Sequence, residues 1–594
     1  MIDVLIALRF VLAAAWRQSR PRMFAAFSLL LVGSVSGPLT ALGLKHITND
    51  ALRGHSSAAV AAAIVTAALM VLSLTAGGVA HHLYFRVSEE LQVWFDIQLA
   101  ELSNATTSLA HFDSDGFADR MELVRQDSNL MWNSLEQILG TLANLTAIVT
   151  AAVLLARTEP LLLLLPLFAI PPLVGGRWAT RYVERIRIEQ AEAIRRSRHL
   201  FALAIDPEAG KELRLFGLTG EVRRRQEELW EQTTDRLVHA NLVSSVFVLG
   251  GQLLFAAGYL GAVYLIVHQA IEGHRSAGTV VLVVALASQV NQQVGAVVAT
   301  AAQLQRVARA VERLRWLRAL VAETEPAAAR ASVPQRIERG IVLRDVAFRY
   351  PGASEDALAG VDLELPPGAV VALVGENGAG KTTLVKLLCR FYDPTSGQID
   401  IDGTPLGDLD PVEWRQRIAA GFQDFQRYEL LLRENVGVGE LPLLDDDDAI
   451  AEALREADAV ELAESLADGL ETQLGTNWAN GVDLSGGQWQ KLAIGRALIR
   501  PQPLLLVLDE PTAALDAHAE HALFERYAAS TRAAGAASGA ISVFTSHRFS
   551  TVRMADLILV LDGGRIAERG SHAELIALDG IYAELFSVQE AAYR

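Results

Sequence analysis

The sequence predicts two domains of different fold class, an α-helical domain with six transmembrane spans followed by an α/β domain with a phosphate-binding loop. Long apolar stretches fill residues 23–300, whereas charged residues become frequent after about residue 305. The later part contains a glycine-rich loop between an apolar run and a helix-like segment. A chain of 594 residues is also long enough for two or three domains.

The net charge argues against a nucleic-acid-binding protein, and the cysteine content excludes a protein stabilised by intrachain disulfides. A formal net charge of −17 does not provide the basic surface that a nucleic-acid partner requires, so we expect no such partner. The single cysteine, Cys389, cannot form an intrachain disulfide. Residues 1–18 carry Arg9 and Arg17 without an uninterrupted apolar core, so we do not expect a cleavable signal peptide.

Six stretches approach the ~20 apolar residues that are needed to cross a bilayer. Arg17, Arg20 and Arg22 precede the first of them, which places the N-terminus in the cytoplasm by the positive-inside rule. An even number of spans returns the chain to the same side. The sequence therefore predicts a multi-pass protein of the cytoplasmic (inner) cell membrane, in contact with the lipid bilayer and with its second domain in the cytoplasm. We place the spans at about 23–45, 58–83, 134–156, 160–179, 243–267 and 277–301.

The two segments assigned to the cytoplasmic side, about 84–133 and 180–242, are long and charged. Residues 180–204 and 219–242 show helical charge patterning with few helix breakers. We therefore expect the membrane helices to continue well into the cytoplasm.

Asp, Ser, Gly and Pro residues interrupt this helical pattern at 111–117 and 206–212. Asp and Ser suit helix N-caps, and Gly and Pro suit chain reversals. We expect a short transverse helix at each break, near 112–121 and 206–217. Force from the second domain could be received there.

Three amide side chains, Gln289, Gln292 and Gln293, share one face of the sixth span. Polar residues inside spans are candidates for a substrate path. They can equally form interhelical hydrogen bonds that fix the packing. The sequence leaves both interpretations open.

A linker at 323–339, with several Ala and two Pro, separates the membrane domain at 1–322 from the second domain at 340–594. The second domain begins with an alternating strand that ends near Tyr350. An aromatic ring at this point could stack on a flat base. A strand aromatic is the more ordinary interpretation of Tyr350 alone, but the phosphate-binding loop that follows favours base stacking.

The phosphate-binding loop follows the apolar run Val370–Val374 and precedes the helix-like Leu384–Leu388, which is the context that this motif requires. Its glycines allow backbone N–H groups to converge on phosphate oxygens, and the next helix directs its positive end at the same anion. Lys381 would neutralise β/γ-phosphate charge, and the Thr382 hydroxyl suits Mg²⁺. The sequence thus predicts ATP and Mg²⁺ as ligands. The candidate ligand-binding residues of the loop are Gly375, Asn377, Gly378, Gly380, Lys381, Thr382 and Thr383.

A second apolar run is predicted to be a buried parallel strand that ends in Asp509 and Glu510. Asp509 would hold Mg²⁺ through water, and Glu510 would polarise the attacking water as a general base. In isolation, an Asp-Glu pair after a strand could equally be a helix cap. Gln423 has an amide that could reach the metal or the water. His547, which follows the predicted strand Ile541–Thr545, could contact the γ-phosphate.

The segment Leu484-Ser485-Gly486-Gly487-Gln488 predicts a second anion-binding site. Ser485 suits a helix N-cap, and the two glycines leave backbone N–H groups bare at a helix start. One such site per ATP would suffice, so the second suggests an ATP that is held by another copy. Two domains that face each other head to tail could then bury two nucleotides between them.

On these residues the chain resembles an ATP-binding-cassette (ABC) half-transporter of the exporter type, over essentially all of its length. The resemblance implies that ATP closes a dimer of the nucleotide-binding domains, that hydrolysis resets it, and that residues near 112–121 and 206–217 are coupling helices. The residues that follow the signature, Trp489-Gln490, resemble those of bacterial exporters of peptides and antibiotics. The functional positions that the resemblance implies are the adenine-stacking Tyr350, the Walker A loop Gly375–Thr382, the Q-loop Gln423, the signature Leu484–Gln488, the Walker B strand Leu505–Asp509, the catalytic Glu510, the D-loop Ala514-Leu515-Asp516 and the switch His547.

We therefore expect an ATP hydrolase that exports an amphipathic small molecule or peptide across the cytoplasmic membrane. All ATPase positions are intact, which favours a homodimer over a heterodimer. A lipid flippase is the main alternative, and an ATP-gated channel or regulatory membrane ATPase is disfavoured by the intact Glu510. Six spans argue against a soluble DNA-repair ATPase, and an importer would usually place these domains on separate chains.

Overall fold

The computed structural model describes residues 2–113, 117–207, 209–324, 330–510, 525–526, 532, 538–546 and 548–593. The chain divides into two compact units, Met1–Ser103 with Arg120–Ala319, and Asn104–Asp119 with Leu320–Arg594. The second unit therefore includes residues 104–119, here called the inserted segment, which come from the range predicted to be the membrane domain.

The first unit is built from α-helices. Among the described residues, five stretches are long and apolar enough to cross a membrane: Arg20–Leu52, Ser56–Asn104, Trp132–Thr158, Thr219–Ile271 and Ala277–Val297. They confirm five of the six predicted spans as helices. The helices are α1 Ile2–Gln18, α2 Arg20–Leu52, α3 Ser56–Asn104, α4 Phe117–Thr158, α5 Leu165–Phe168, α6 Ile170–Glu189, α7 Ala191–Ile205, α8 Ala209–Leu215, α9 Thr219–Ile271 and α10 Ala277–Thr324.

The remaining predicted span, 160–179, is not one continuous helix. It consists of a 3-10 turn at Pro160–Leu164, then α5, then the first half of α6. Proline lacks the N–H that an interior helical bond requires, and its ring crowds the preceding turn. Pro171 and Pro172 occupy the first turn of α6, where a missing N–H is tolerated. The prolines thus divide this apolar stretch into shorter elements.

The predicted helical extensions of the spans are confirmed by α6, α7 and α9. Glycines permit the close approach of α6 and α9. A Cβ atom added at Gly251 would lie 2.8 Å from Pro172 Cα, and one added at Gly175 would lie 3.0 Å from the carbonyl oxygen of Phe247.

The short helix α8 lies within the range where the second transverse helix is expected.

The second unit is an α/β structure with two sheets. Its strands are β1 Ile341–Phe348, β2 Leu358–Leu365, β3 Val370–Val374, β4 Ser396–Ile401, β5 Thr404–Pro405, β6 Ile418–Gly421, β7 Leu505–Asp509, β8 Ile541–Thr545, β9 Leu557–Asp562 and β10 Arg565–Gly570. Its helices are α11 Lys381–Leu388, α12 Pro411–Gln416, α13 Leu432–Gly437, α14 Asp447–Glu456, α15 Val460–Ser465, α16 Gly486–Leu498, α17 Phe549–Val552, α18 His572–Leu578 and α19 Ile581–Tyr593.

The larger sheet has the order β10-β9-β3-β8-β7-β6, and all of its strands except β10 run parallel. The smaller sheet is antiparallel with the order β2-β1-β4-β5. Every residue of β3, β7 and β8 is buried, as expected of a parallel sheet that is covered on both faces. The fold places the carboxyl ends of β3, β6, β7 and β8 at one edge, where ligands bind in open α/β sheets.

The second unit also has an apolar cluster that lies outside the two sheets. It is formed by α13, α14, α15 and α16, with the indole of Trp489 almost completely buried within it. These helices carry the segment with Ser485 at the start of α16. The second unit therefore has a sheet part, which carries the phosphate-binding loop, and a helical part, which carries the second predicted anion-binding site.

Candidate functional site

The phosphate-binding loop connects β3 to α11 at the edge of the large sheet. Asn377, Gly378 and Thr382 are exposed, whereas Thr383 is buried. Gly378 has φ of +86°, and a Cβ atom there would meet nothing within 4 Å. A left-handed backbone beside open space suits a glycine loop that faces an anion.

The ammonium of Lys381 lies inside this loop. Its Nζ donates to the carbonyl oxygens of Gly375 and Glu376 at 2.7 and 2.9 Å, and the residue is 7% exposed. Burial lowers the pKa of Lys381 from its ordinary value, while the negative charges of Glu510 and Asp509 act in the opposite direction. The loop thus holds a desolvated cation whose charge an anion would stabilise.

The two carboxylates predicted to act with this lysine follow one another at the end of β7. Asp509 is 2% exposed, and Glu510 has φ of +47°, which is uncommon for a residue other than glycine. Thr545 joins the two residues but not their carboxylates, because its hydroxyl donates to Asp509 Oδ1 and accepts from the backbone N–H of Glu510, both at 2.7 Å. Strained backbone of this kind concentrates at functional sites. The structure therefore brings Lys381, Asp509 and Glu510 together.

Thr545 is the functional candidate that sequence reasoning missed. It is the last residue of β8, is fully buried and lies opposite Asp509 in the register of the two strands. The available signal was weak, namely a hydroxyl at the end of a buried apolar strand.

Gln423 and Tyr350 lie near this edge of the sheet. Gln423 is exposed and comes two residues after Gly421, which pairs with Leu508 of β7. The hydroxyl of Tyr350 lies 3.2 Å from Thr383 Oγ1, so the ring is attached to the first turn of α11. Base stacking by Tyr350 stays a prediction.

The predicted N-cap at Ser485 is confirmed. The Ser485 hydroxyl accepts from the Gln488 N–H at 3.3 Å, and the Ser485 N–H donates to Gln488 Oε1 at 2.8 Å, which is a capping box. A Cβ atom at Gly486 would meet nothing within 4 Å, so the start of α16 is open. Among the described contacts, no hydrogen bond connects Ser485 or Gln488 with the phosphate-binding loop of the same chain.

Two predicted site residues, Asp516 and His547, lie outside the described residues. The Ala514-Leu515-Asp516 motif is outside them as a whole. Their predicted roles stay predictions.

The family described as ABC transporter matches residues 358–513. The second unit, in which this stretch lies, is here called the ABC unit, and the first unit is called the membrane unit. This stretch matches the family of ABC transporters. It contains the phosphate-binding loop, Gln423, the Ser485 segment and the Asp509-Glu510 pair. The solved structure entitled "Structure of a bacterial Atm1-family ABC exporter with ATP bound" superposes with a TM-score of 0.74 over 96% of this chain and 98% of that chain, at 23% identity. The chain therefore has the fold of an ABC exporter half-transporter, as the sequence predicts.

Curated relatives that match part of this chain are named as flippases. The ATP-dependent lipid A-core flippase of Cupriavidus pinatubonensis is 41% identical over 260 residues, which are 44% of this chain and 42% of the relative. The protein of the same name from Xanthomonas campestris pv. campestris is 32% identical over 384 residues, 64% of this chain and 62% of the relative. The chain thus matches less than two thirds of the length of each.

The inserted segment packs within the ABC unit. The N–H of Leu109 donates to the carbonyl oxygen of Phe391 at 2.9 Å, and the Tyr392 hydroxyl donates to the Asp113 carboxylate. Arg415 donates to a backbone carbonyl of the same segment. Burial raises the pKa of Tyr392, and the hydrogen bond to Asp113 adds to this effect. Several independent contacts therefore hold this segment against the ABC unit.

In the membrane unit, the interhelical role of Gln289 is visible. Its Nε2 donates to the carbonyl oxygen of Gly37 at 3.3 Å. The Oε1 atoms of Gln289 and Gln293 are buried and have no hydrogen-bond partner among the described residues. Both amides thus keep unused acceptors within the helix bundle.

Proposed function

We propose that this chain is an ATP-hydrolysing half-transporter that works as a dimer and exports an amphipathic molecule across the cytoplasmic membrane. The observation that carries the proposal is the constellation in the ABC unit, where a buried ammonium lies within reach of the Asp509 and Glu510 charges at the edge of a parallel sheet. The membrane unit supports transport, because it supplies five helices of sufficient length and apolar character among the described residues.

In the proposed reaction, the loop amides and Lys381 bind the β- and γ-phosphates of ATP. The phosphates replace the two backbone carbonyls as partners of the lysine ammonium and stabilise its charge. Glu510 orients the attacking water and accepts its proton, while Gln423 reaches the same water or the cation. Thr545 keeps the Asp509 carboxylate and the Glu510 backbone in fixed positions.

The residues fit a magnesium ion that is held largely by the nucleotide. Thr382 offers an exposed hydroxyl and Asp509 a carboxylate, which are oxygen ligands of the kind that Mg²⁺ prefers. No cluster of three or more His, Cys, Asp or Glu side chains suited to a metal occurs in the part of the chain that the structure describes. When bound, Mg²⁺ neutralises phosphate charge during transfer of the γ-phosphoryl group to water.

A second copy of the chain completes the site in this proposal. The capped start of α16 is open, and the described side-chain hydrogen bonds of Ser485 and Gln488 join these two residues to each other. It is therefore available to the ATP that the other copy holds. Homodimerisation is favoured because the ATPase positions of the described residues are intact, although the same geometry would serve a heterodimer.

Two features of the membrane unit bear on the proposed chemical class of the cargo. The unused amide acceptors of Gln289 and Gln293 would suit a molecule with hydrogen-bond donors as well as apolar surface. Arg22, at the cytoplasmic start of α2, forms an ion pair with Glu90 at 2.7 Å. Since this arginine is already neutralised, it does not favour a phosphate head group over a peptide.

A lipid flippase is the second candidate, and the names of the relatives favour it. The match of 384 residues is longer than the predicted ABC domain at 340–594, so it must include part of the membrane unit. Both candidates use the same ATPase cycle and differ in what the membrane unit binds.

The test uses the full chain reconstituted in proteoliposomes, as wild type and as Glu510→Gln. We expect the change to lower the steady rate of ATP hydrolysis by about 100-fold, because a general base contributes at least about that factor. Bound ATP should be retained. The matched control is Glu461→Gln, an exposed residue of α15, which should hydrolyse at the wild-type rate. Undiminished turnover in Glu510→Gln would disprove the assignment of the base.

Cargo is measured in the same vesicles with dye-labelled amphipathic peptides and with a fluorescent phospholipid. ATP-dependent and Glu510-dependent movement of the peptides supports export of an amphipathic molecule. Movement of the phospholipid alone supports the flippase. Hydrolysis without movement of either probe would argue for a regulatory membrane ATPase.

A further inference from the structure

Two loops of the ABC unit, both next to predicted nucleotide contacts, are joined by one pair of side chains. Glu429 lies six residues after Gln423, and Asn477 lies eight residues before Ser485. The side-chain amide of Asn477 donates to both carboxylate oxygens of Glu429, at 3.0 and 2.9 Å. Hydrogen bonds to an ionised acceptor are stronger than those between neutral groups.

The backbone around this pair is shaped for close approach. Gly475 has φ of +94°, and a Cβ atom there would lie 2.5 Å from Glu429 Cδ. The side-chain amide of Gln473 donates to the backbone carbonyl of Glu429 at 2.9 Å. The loop before Ser485 is therefore in van der Waals contact with Glu429, and the Asn477 amide closes that contact.

Residues 426–429, which include Glu429, are also attached to α16, the helix that Ser485 caps. Arg496 of α16 donates to the carbonyl oxygen of Gln426 at 3.2 Å, and its guanidinium lies 4.3 Å from the ring centre of Tyr428. Another nitrogen of Arg496 donates to Asn435 Oδ1 at 2.6 Å. These contacts hold residues 426–429 against the helical part of the unit, so we expect the two to move together.

Gln423, in contrast, follows β6 and belongs to the sheet part. Between Gln423 and residue 426, the chain passes from the sheet part to the helical part. A shift of Gln423 toward a bound nucleotide would therefore pull on a stretch that is fastened to α16 and to the loop before Ser485.

We propose that the Glu429–Asn477 pair couples the two ATP sites of the dimer, with both side chains as positioning residues. This proposal rests on the proposed function, in which Gln423 serves the ATP of its own copy and Ser485 serves the ATP of the second copy. ATP bound at one site then places Ser485 for the other site. The thermodynamic result is a coupling free energy between the sites, which is observed as positive cooperativity in ATP.

The test first breaks the pair and then exchanges its hydrogen-bond donor and acceptor, in the full-length protein in lipid nanodiscs. Asn477→Asp places a carboxylate against Glu429 and repels it. Combining Asn477→Asp with Glu429→Gln restores a hydrogen bond with the donor and the acceptor exchanged. Asn480→Asp is the matched control, because it adds the same charge to the same loop, and no described hydrogen bond joins Asn480 to Glu429. Asn480 also has φ of +62°, which Asp tolerates as Asn does.

The rate of ATP hydrolysis is measured against ATP concentration for each variant. We expect a Hill coefficient above one for the wild type and the control, and a value close to one for Asn477→Asp. The half-saturating ATP concentration of Asn477→Asp should rise about fivefold, the low end of the usual range of coupling factors. The combined variant should return to the wild-type Hill coefficient. A structural role alone would lower the rate without this pattern of loss and recovery.

Three results would overturn the proposal: a Hill coefficient of one in the wild type, equal behaviour of Asn477→Asp and Asn480→Asp, or no recovery in the combined variant. Each is separable from failure of the proposed ATPase, which would appear as the absence of Glu510-dependent hydrolysis in the wild type. If Asn477→Asp does not yield folded protein, Asn477→Ala, which removes the donor without adding a charge, is compared with the combined variant. The proposal then requires a Hill coefficient that is low in Asn477→Ala and higher in the combined variant.

Discussion

The hydroxyl of Thr545 joins the Asp509 carboxylate to the backbone N–H of Glu510, and Thr545→Val removes that hydroxyl while keeping the shape of the side chain. Asp509, which is buried, would lose a donor, and the partly buried Glu510 N–H would lose this acceptor. Leaving a buried polar group unsatisfied costs about 1–3 kcal/mol. We expect kcat for ATP hydrolysis to fall by about tenfold or more, since each 1.36 kcal/mol corresponds to about a tenfold change in rate.

The control is Thr545→Ser, which keeps the hydroxyl and should keep most of the activity. ATP binding should change little in either variant, because no described hydrogen bond of Thr545 involves the phosphate-binding loop. Steady-state kinetics over a range of ATP concentrations separates kcat from KM. Wild-type kcat in Thr545→Val would show that the hydroxyl does not position the Asp509 carboxylate and the Glu510 backbone.

Lys381 and Thr545 show what can and cannot be predicted from the sequence at a single position. Lys381 belongs to a motif in which all the residues lie within one turn and one helix start, so short-range spacing identifies it. Thr545 acts on Asp509, which is 36 positions away, only because β7 and β8 pair in parallel register. That register depends on the packing of the whole sheet, and no local pattern encodes it.

The same distinction applies to whole elements. The strands β3 and β8 have the predicted bounds, because continuous apolar runs flanked by loops are a strong signal. Hydropathy alone placed one continuous span at 160–179, although prolines divide it. The sequence also gave no indication that the inserted segment packs with the ABC unit, since Asp113 and its partner Tyr392 are 279 residues apart.

The inserted segment should respond to pH through His111. This ring is 7% exposed, lies 3.0 Å from Thr106 Oγ1 through Nδ1 and contacts the ring of Phe112. Burial lowers the pKa of His111, while a backbone hydrogen bond of Ser108 and the charge of Asp113 partly oppose this. Protons therefore bind more tightly when the segment is released. Its packing should be unaffected by pH well above about 6.5, the ordinary pKa of histidine, and should weaken as the pH falls below it.

Hydrogen exchange of the backbone amides in residues 105–113 measures this release in the full-length protein. After correction for intrinsic exchange, we expect faster exchange at pH 5.5 than at pH 7.5 in the wild type. His111→Gln cannot titrate at this position and should show a much smaller difference between the two conditions. An equal difference in both proteins would assign the pH response to another group.

For the assembled transporter, the decisive question is whether each ATP site is shared between two copies. If it is, one copy supplies Lys381 and the other supplies Ser485. Two differently tagged copies can be co-expressed and purified through both tags, so that only mixed dimers remain. One mixture pairs a Lys381→Ala copy with a Ser485→Ala copy. The other pairs a copy that carries both changes with a wild-type copy.

Shared sites and separate sites give opposite results for these two mixtures. With shared sites, the first mixture concentrates both defects in one site and leaves the other intact, so about half of the wild-type hydrolysis should remain if the sites act independently. Cooperativity between the sites would lower this value. The second mixture damages both shared sites and should be nearly inactive. If each site were built from one chain, the second mixture would be the active one. Each mixed dimer contains one Lys381→Ala and one Ser485→Ala substitution, so general effects on folding cancel. The order of the two rates alone then decides whether ATP is hydrolysed between two copies.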